Sequence, residues 1–264
     1  MMSLIHPTAI IDPAAQIDSS VAIGPYCVIG PHVQIAANVT IKSHVVIEGH
    51  TQIGEGCEIY PFAALGQPPQ HLRYQGEPSE LIIGQNNIIR EHVTMHPGTA
   101  VDKMKTVIGN NGMFMVASHI AHDCVVGDNF IMAQNAALGG HVIVEDNVYF
   151  GAYSAAHPFV RIGHDAVIGG VSAVVADVIP YGAVYGERGM LNGVNIVGMK
   201  RRGLDKQTMR AVKKAYEDIF LSEGLLKDNL DQLKQTQANI KEVADIIDFI
   251  EKESGRPLCL PKSS

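Results

Sequence analysis

Twelve histidines in 264 residues is a high count, and four of them, His119, His122, His141 and His157, fall in one short stretch. An imidazole with an ordinary pKa near 6.5 is largely neutral at neutral pH and can take a proton as a general base. Asp123 follows His122 directly and could orient its ring or favour its cationic form. Cys124 comes next, and a thiol beside an imidazole is a candidate nucleophile. Further along, Lys200, Arg201, Arg202, Lys206, Arg210, Lys213 and Lys214 form a positive run with only Asp205 opposing, on a chain of net charge −7. Such a run attracts an acidic partner or is simply the exposed basic face of a helix.

These groups must be held by something, and the holder is a repeat. Every sixth residue from Ile5 to Leu65 is apolar, and all but the last are Ile. The phase resumes at Ile83, Ile89 and Met95, and again from Ile108 through Val174. A hexapeptide period means a parallel β-helix, in which three hexapeptides make a coil of about 18 residues and coils stack at about 4.8 Å. Four residues after each apolar position stands a small or β-branched residue, such as Val21, Cys27, Val33, Cys57, Ala136 or Val142. One long and one small inward slot per hexapeptide fill a thin triangular prism. Gly follows the apolar residue at 24, 30, 54, 84, 109, 127 and elsewhere, which predicts glycine corners with positive φ.

Residues 18 apart then stack, so Ala121, Gly139 and His157 share a line, with His122 one place past it, His141 two past it and His119 two before it. All four histidines gather at one edge and face outward, since none occupies an inward slot. Each alone is most simply a surface residue; four on one edge form a site. Cys124 falls in a small inward slot, which predicts core packing rather than catalysis.

Two interruptions, about 67–79 and 97–106, predict loops projecting from the prism, where solenoids often carry function. After Tyr185 the rhythm stops, and from Asp205 apolar residues recur at three and four, a helical pattern with breaks at Gly224 and Asn239. The expected architecture is an all-β solenoid over 1–191 with a C-terminal α-helical domain over 192–264, its last ten residues a tail. The acidic balance argues against a nucleic-acid binder. No apolar run is long enough to span a membrane, and the N-terminus lacks a signal-peptide layout. Four cysteines without CxxC spacing point to a reducing, cytoplasmic setting.

The stretch Ala117-Ser118-His119-Ile120-Ala121-His122-Asp123-Cys124, with Gly139-Gly140-His141 and His157 downstream, resembles the UDP-N-acetylglucosamine O-acyltransferase family of lipid A biosynthesis. So do Ile88-Ile89-Arg90-Glu91-His92-Val93-Thr94 and Gly193-Val194-Asn195-Ile196-Val197-Gly198-Met199-Lys200-Arg201-Arg202-Gly203. The resemblance runs from Ile5 to about Tyr216. It implies a left-handed winding, a homotrimer with active sites between subunits, and direct transfer of a 3-hydroxyacyl group from acyl carrier protein to the 3-hydroxyl of a UDP-sugar. It implies no metal and no cofactor. By this resemblance His122 is the general base, Asp123 its orienter, and the Gly140 N–H the oxyanion donor. His119, His141 and His157 hold sugar, diphosphate or acyl carbonyl, while Asn195 and Arg201 contact the nucleotide-diphosphate end. Gly170 takes the position of an acyl-chain ruler, its small size implying a long chain.

The chain departs from the family pattern at the acceptor. Where relatives place an Asp, followed two later by a Lys, in the first loop, it has His71 and Arg73; it also has Pro158 for Gln and Val197 for Glu. Acylation of a UDP-sugar bearing a 3-amine is therefore an alternative, as is another hexapeptide acyltransferase. A more distant alternative is a hexapeptide-fold carbonic anhydrase with a three-histidine zinc site.

Overall fold

The computed structural model describes residues 4–252 and 254–262; Met1–Ser3, Glu253 and the final two serines, within the expected domain spans, lie outside them. Among the described residues twenty-seven short strands, from β1 (Ile10–Ile11) to β27 (Met190–Val194), are followed by helices α1 (Ile196–Arg201), α2 (Lys206–Phe220), α3 (Leu226–Gln237) and α4 (Lys241–Glu251). The strands fall into three sheets: sheet 1 runs from β1 to β25 (Ala173–Val174), sheet 2 from β2 (Gln16–Ile17) to β23 (Arg161–Ile162), and sheet 3 from β3 (Ala22–Ile23) to β26 (Gly182–Tyr185) and β27. All pairings are parallel except the β26–β27 hairpin, which ends the solenoid at Gly182–Val194. Neither this hairpin nor α1 has a hexapeptide or clear helical period, and the sequence pattern missed both.

The two inward slots behave as the repeat predicts. Ile29, Ile41, Ile47, Leu65 and Phe114 occupy the long slot, and Val21, Cys27, Val33, Cys57 and Cys124 the small one, all buried. Register is 18 residues where the repeat is intact, as in Ile47 against Leu65. It becomes 30 across the first insert (Leu65 against Met95) and 25 across the second (Met95 against Ile120). Both inserts leave sheet 1 and rejoin sheet 2, so both stand at the edge between those sheets.

The glycine expectation is overturned. Of the glycines following apolar residues, Gly66 has positive φ, but Gly24, Gly30, Gly54, Gly84, Gly109 and Gly127 do not. The left-handed residues stand third after the apolar position and are mostly Asn, His, Tyr, Phe and Asp, among them Asn38, His44, Asp123 (φ 60°) and His141 (φ 65°). At many of these corners the left-handed residue donates its N–H to a carbonyl of the preceding coil, as from His141 to His122 O (3.0 Å), which offsets the conformational cost. Glycine serves close stacking instead: a Cβ on Gly54 would lie 2.5 Å from the Gly84 carbonyl carbon.

The helical segment is tied to the prism. Arg161 Nε is 2.7 Å from the buried Asp177 carboxylate, and its guanidinium covers the Phe249 ring at 4.5 Å. His164 stands between Asp165 (3.0 Å) and Asp245 of α4 (3.4 Å). Burial opposes its charge, but the bond to Asp165 and the neighbouring carboxylates hold its pKa above the ordinary value. The expected tail is docked rather than loose: Cys259 is buried, and its N–H donates to Asp177 O at 2.7 Å. No helix among the described residues is long and apolar enough to cross a membrane.

Candidate active site

His119 lies on β16 (His119–Ile120) of sheet 1, and the corner Ala121–Cys124 carries the chain to β17 (Val125–Val126) of sheet 2. One coil later Gly139–His141 turn the same corner. The histidines do point away from the prism core, but His122 (8% exposed) and His141 (7%) are not solvent-facing as expected. The inserts cover them. From the first, the His71 ring packs edge-on against His122 at 4.8 Å; the second supplies Thr99, Asp102 and Lys103.

His122 Nδ1 is 2.9 Å from Asp123 Oδ2. A carboxylate only accepts, so Nδ1 carries the proton and Nε2 is left with its lone pair, the form a base requires. Asp123 is fully buried, yet it accepts from the Thr99 N–H (3.1 Å), the Thr99 hydroxyl (2.7 Å) and the Lys103 N–H (3.2 Å). These donors hold a charge that burial would otherwise penalise. Burial pushes the His122 pKa below its ordinary value, against the opposing bond to Asp123. The His122 ring lies over Gly140, where a Cβ would come within 2.5 Å of Cε1. Gly140 is buried, and its N–H donates to no described group.

His141 repeats the arrangement one coil on, with Nδ1 2.7 Å from Asp102 Oδ2. Its ring meets His122 edge-on at 5.0 Å and stacks on Phe159 at 4.3 Å. His119 pairs with the Thr94 hydroxyl at 2.7 Å and touches His96 at 4.9 Å. His96 is buried, its Nδ1 has no hydrogen-bond partner among the described residues, and burial pushes its pKa to about 4, so it is a neutral group in the site. His157 is exposed, on the next coil, with Arg256 at its Nδ1. Arg73 is exposed, and its N–H donates to His71 Nδ1 at 3.3 Å.

The remaining expected residues stand elsewhere on the chain. Asn195 and Arg201 line a cleft of about 770 Å³ against Ile131, Tyr149 and Val167 on sheet 3, the face opposite the histidine edge. Asn195 caps α1 through the Gly198 N–H (2.8 Å) and donates to Asp165 O (2.8 Å). Gly170 is exposed at the edge between sheets 3 and 1. Within the positive run, Arg202 pairs with Asp165, Lys213 with Glu217 and Lys214 with Asp218, leaving Lys200, Arg201, Lys206 and Arg210 as exposed cations.

Sequence reasoning missed His96, Thr94, Thr99, Asp102 and Lys103. His96 shares the line of Ala121, Gly139 and His157, but its spacing to Ala121 is 25, so 18-residue arithmetic passes over it. Thr94 pairs with His119 in that same 25-residue register, and the insert residues Thr99, Asp102 and Lys103 belong to no lattice. Cys124 is in the core as expected, and burial pushes its thiol to about 12. Possible metal-ligand atoms of His122, Asp123 and His141 lie within 4.8 Å of one another. Only the His122–Asp123 hydrogen bond lies within this set; His141 Nδ1 is bonded to Asp102 instead and stands 4.0 Å from Asp123, and the set is two imidazoles and a carboxylate.

A family model described as UDP N-acetylglucosamine O-acyltransferase, domain 2, matches residues 177–259. The acyl-(acyl-carrier-protein)–UDP-N-acetylglucosamine O-acyltransferase of Caulobacter vibrioides is 53% identical over 212 residues, covering 80% of this chain and 81% of that protein. Among solved structures, LpxA from Acinetobacter baumannii is 44% identical with a TM-score of 0.93, covering 97% of this chain and 99% of that one. The UDP-N-acetylglucosamine O-acyltransferase of Moraxella catarrhalis is 42% identical, also at 0.93, with the same coverage. With a shared fold and such identity along most of its length, the chain belongs to the acyl-(acyl-carrier-protein)–UDP-N-acetylglucosamine O-acyltransferase family.

Proposed function

We propose that this chain transfers a 3-hydroxyacyl group from acyl carrier protein to the 3-hydroxyl of UDP-N-acetylglucosamine, the entry step of lipid A biosynthesis, with no covalent enzyme intermediate. The observation that carries the reading is the His122–Asp123 pair beside the unengaged Gly140 N–H. His122 Nε2 takes the hydroxyl proton as the oxygen attacks the thioester carbonyl, and the Gly140 N–H receives the developing oxyanion. Collapse breaks the C–S bond, and the proton on His122 passes to the leaving sulfur, restoring the neutral base and releasing carrier thiol. His71, Arg73, His119, His141 and His157 hold the acceptor and acyl group; Asn195 and Arg201 hold the nucleotide end. Lys200, Lys206 and Arg210 attract the acidic carrier.

Asn195 and Arg201 stand on the face opposite His122, so a complete site needs a second copy of the chain. We take the working form as a left-handed, cytoplasmic homotrimer, its solenoid body 1–191 and its helical domain 192–264. Gly170 would come from such a neighbour as the floor of the acyl groove. A Cβ there meets only Ala152 backbone atoms, the nearest at 3.2 Å.

The test is acyl transfer by purified protein against carrier thioesters of graded length, with the 3-hydroxy and 3-amino UDP-sugars offered separately. Transfer to the hydroxyl sugar is expected, with Gly170→Met shifting preference to a donor several carbons shorter. Exclusive use of the amine would replace the acceptor; a uniform loss in Gly170→Met would remove the ruler.

A further inference from the structure

The second insert does more than cover the site. Its Thr99–Lys103 turn holds both histidine partners at once: Thr99 and Lys103 grip Asp123, and Asp102 itself accepts from His141. Asp102 is a half-exposed carboxylate with the Lys103 ammonium 2.7 Å away, and Lys103 Nζ also reaches Asp123 O at 3.4 Å. Burial works against the Asp102 charge, but Lys103 and His141 together hold its pKa below the usual carboxylate value. Asp123 is 4.0 Å from His141 Nδ1, too far to share the role.

We propose that Asp102 is a positioning residue for acyl transfer, acting through His141: it fixes the His141 ring and its Nδ1–H tautomer, so that a second His–Asp pair stands at right angles to His122–Asp123. The interplanar angle between the two imidazoles is 86°. With Nδ1–H donated to Asp102, His141 works through Nε2, as His122 does, and Phe159 beneath the ring blocks its rotation. The charged and titratable groups around His141 are Asp102 and Lys103 from the insert and His122 and Asp123 from its own edge. Arg161 and Arg256 line the adjoining cleft of about 380 Å³, and His71 lies behind His122. Of these, Asp102 is the one acceptor within hydrogen-bond distance of His141 Nδ1 among the described residues. This inference rests on the acyl-transfer reading for its kinetic arm; its spectroscopic arm does not.

The experiment compares Asp102→Asn and Asp102→Ala in the full-length protein by kinetics and by ¹⁵N NMR of the His141 imidazole. The Nδ1–H tautomer should survive in Asp102→Asn, whose amide oxygen can still accept, and be lost in Asp102→Ala. Turnover should fall about tenfold in Asp102→Ala, in the range of lost outer-shell partners of working histidines, and less in Asp102→Asn. In a His141→Ala background the Asp102→Ala change should cost nothing further. Wild-type turnover in Asp102→Ala overturns the proposal, as does an unaltered His141 signal or an equal cost when His141 is absent. Should the wild-type protein show no transfer, the functional reading fails while the NMR comparison still decides the pairing.

Discussion

His122 and Cys124 stand two residues apart and have opposite chemical fates. The small inward slot buries the Cys124 thiol completely, where it donates to Gly139 O at 3.2 Å and keeps its proton. A thiol titrating near 12 supplies almost no thiolate at neutral pH. His122, on the outer side of the same corner, has a lowered pKa and a free Nε2. His122→Ala should cut turnover about 10²–10⁴-fold, the usual worth of general-base catalysis, whereas Cys124→Ser should stay close to wild type. Inactivation by the serine in a folded protein would reverse the assignment. The pH profile carries the same claim. The base must be neutral, so kcat/KM falls as pH drops through its pKa, and burial places that limb below 6.5. Asp123 opposes the shift, so Asp123→Asn should move the limb to still lower pH; a limb that stays put would mean another group titrates.

At the scale of elements, the prism was legible because a six-residue period leaves so little freedom: from Val21 onward the apolar and small positions that sequence assigns to the interior are the buried ones, while Ile5, Ile11 and Ile17 at the N-terminal end are not fully covered. The reason for glycine was misread. The corner residue that needs positive φ comes third after the apolar position, and Asn, Asp or His take it; the glycine at the first position yields to the next coil. Gly54→Ala should therefore cost about 1–3 kcal/mol, through a methyl forced against the Gly84 backbone. At Gly30 the nearest atom to a Cβ is 3.4 Å away, ordinary contact, so Gly30→Ala should be nearly neutral. Thermal unfolding distinguishes the two; equal melting temperatures would remove close stacking as the cause. The histidine edge was readable by the same 18-residue arithmetic. Thr99, Asp102 and Lys103 were not, because an insert has no period to anchor it, and the burial of His122 comes from those same inserts.

For the whole molecule, the proposed roles of His122 and Arg201 carry a consequence that no single residue reveals. The edge between sheets 1 and 2 carries His122 and His141, and sheet 3, across the prism, carries Asn195 and Arg201. No side-chain motion bridges opposite sides of a packed core, whereas in the proposed trimer a rotation axis beside the prism would set one copy's edge against the next copy's face. Two chains each crippled at one end should then repair one another. His122→Ala trimers and Arg201→Ala trimers would each be impaired alone. After unfolding and refolding together at equal ratio, about one site in four should combine an intact His122 with an intact neighbouring Arg201, on random cyclic assembly. Activity in the mixed sample should exceed the mean of the two parents and approach that quarter of wild type at subsaturating UDP-sugar. Mixing without refolding should restore nothing, because the proposed trimers would not exchange chains. Refolded mixtures no better than the average of the parents would show that each chain builds its site alone, and would require α1 to reach the histidine edge by a path absent from this fold.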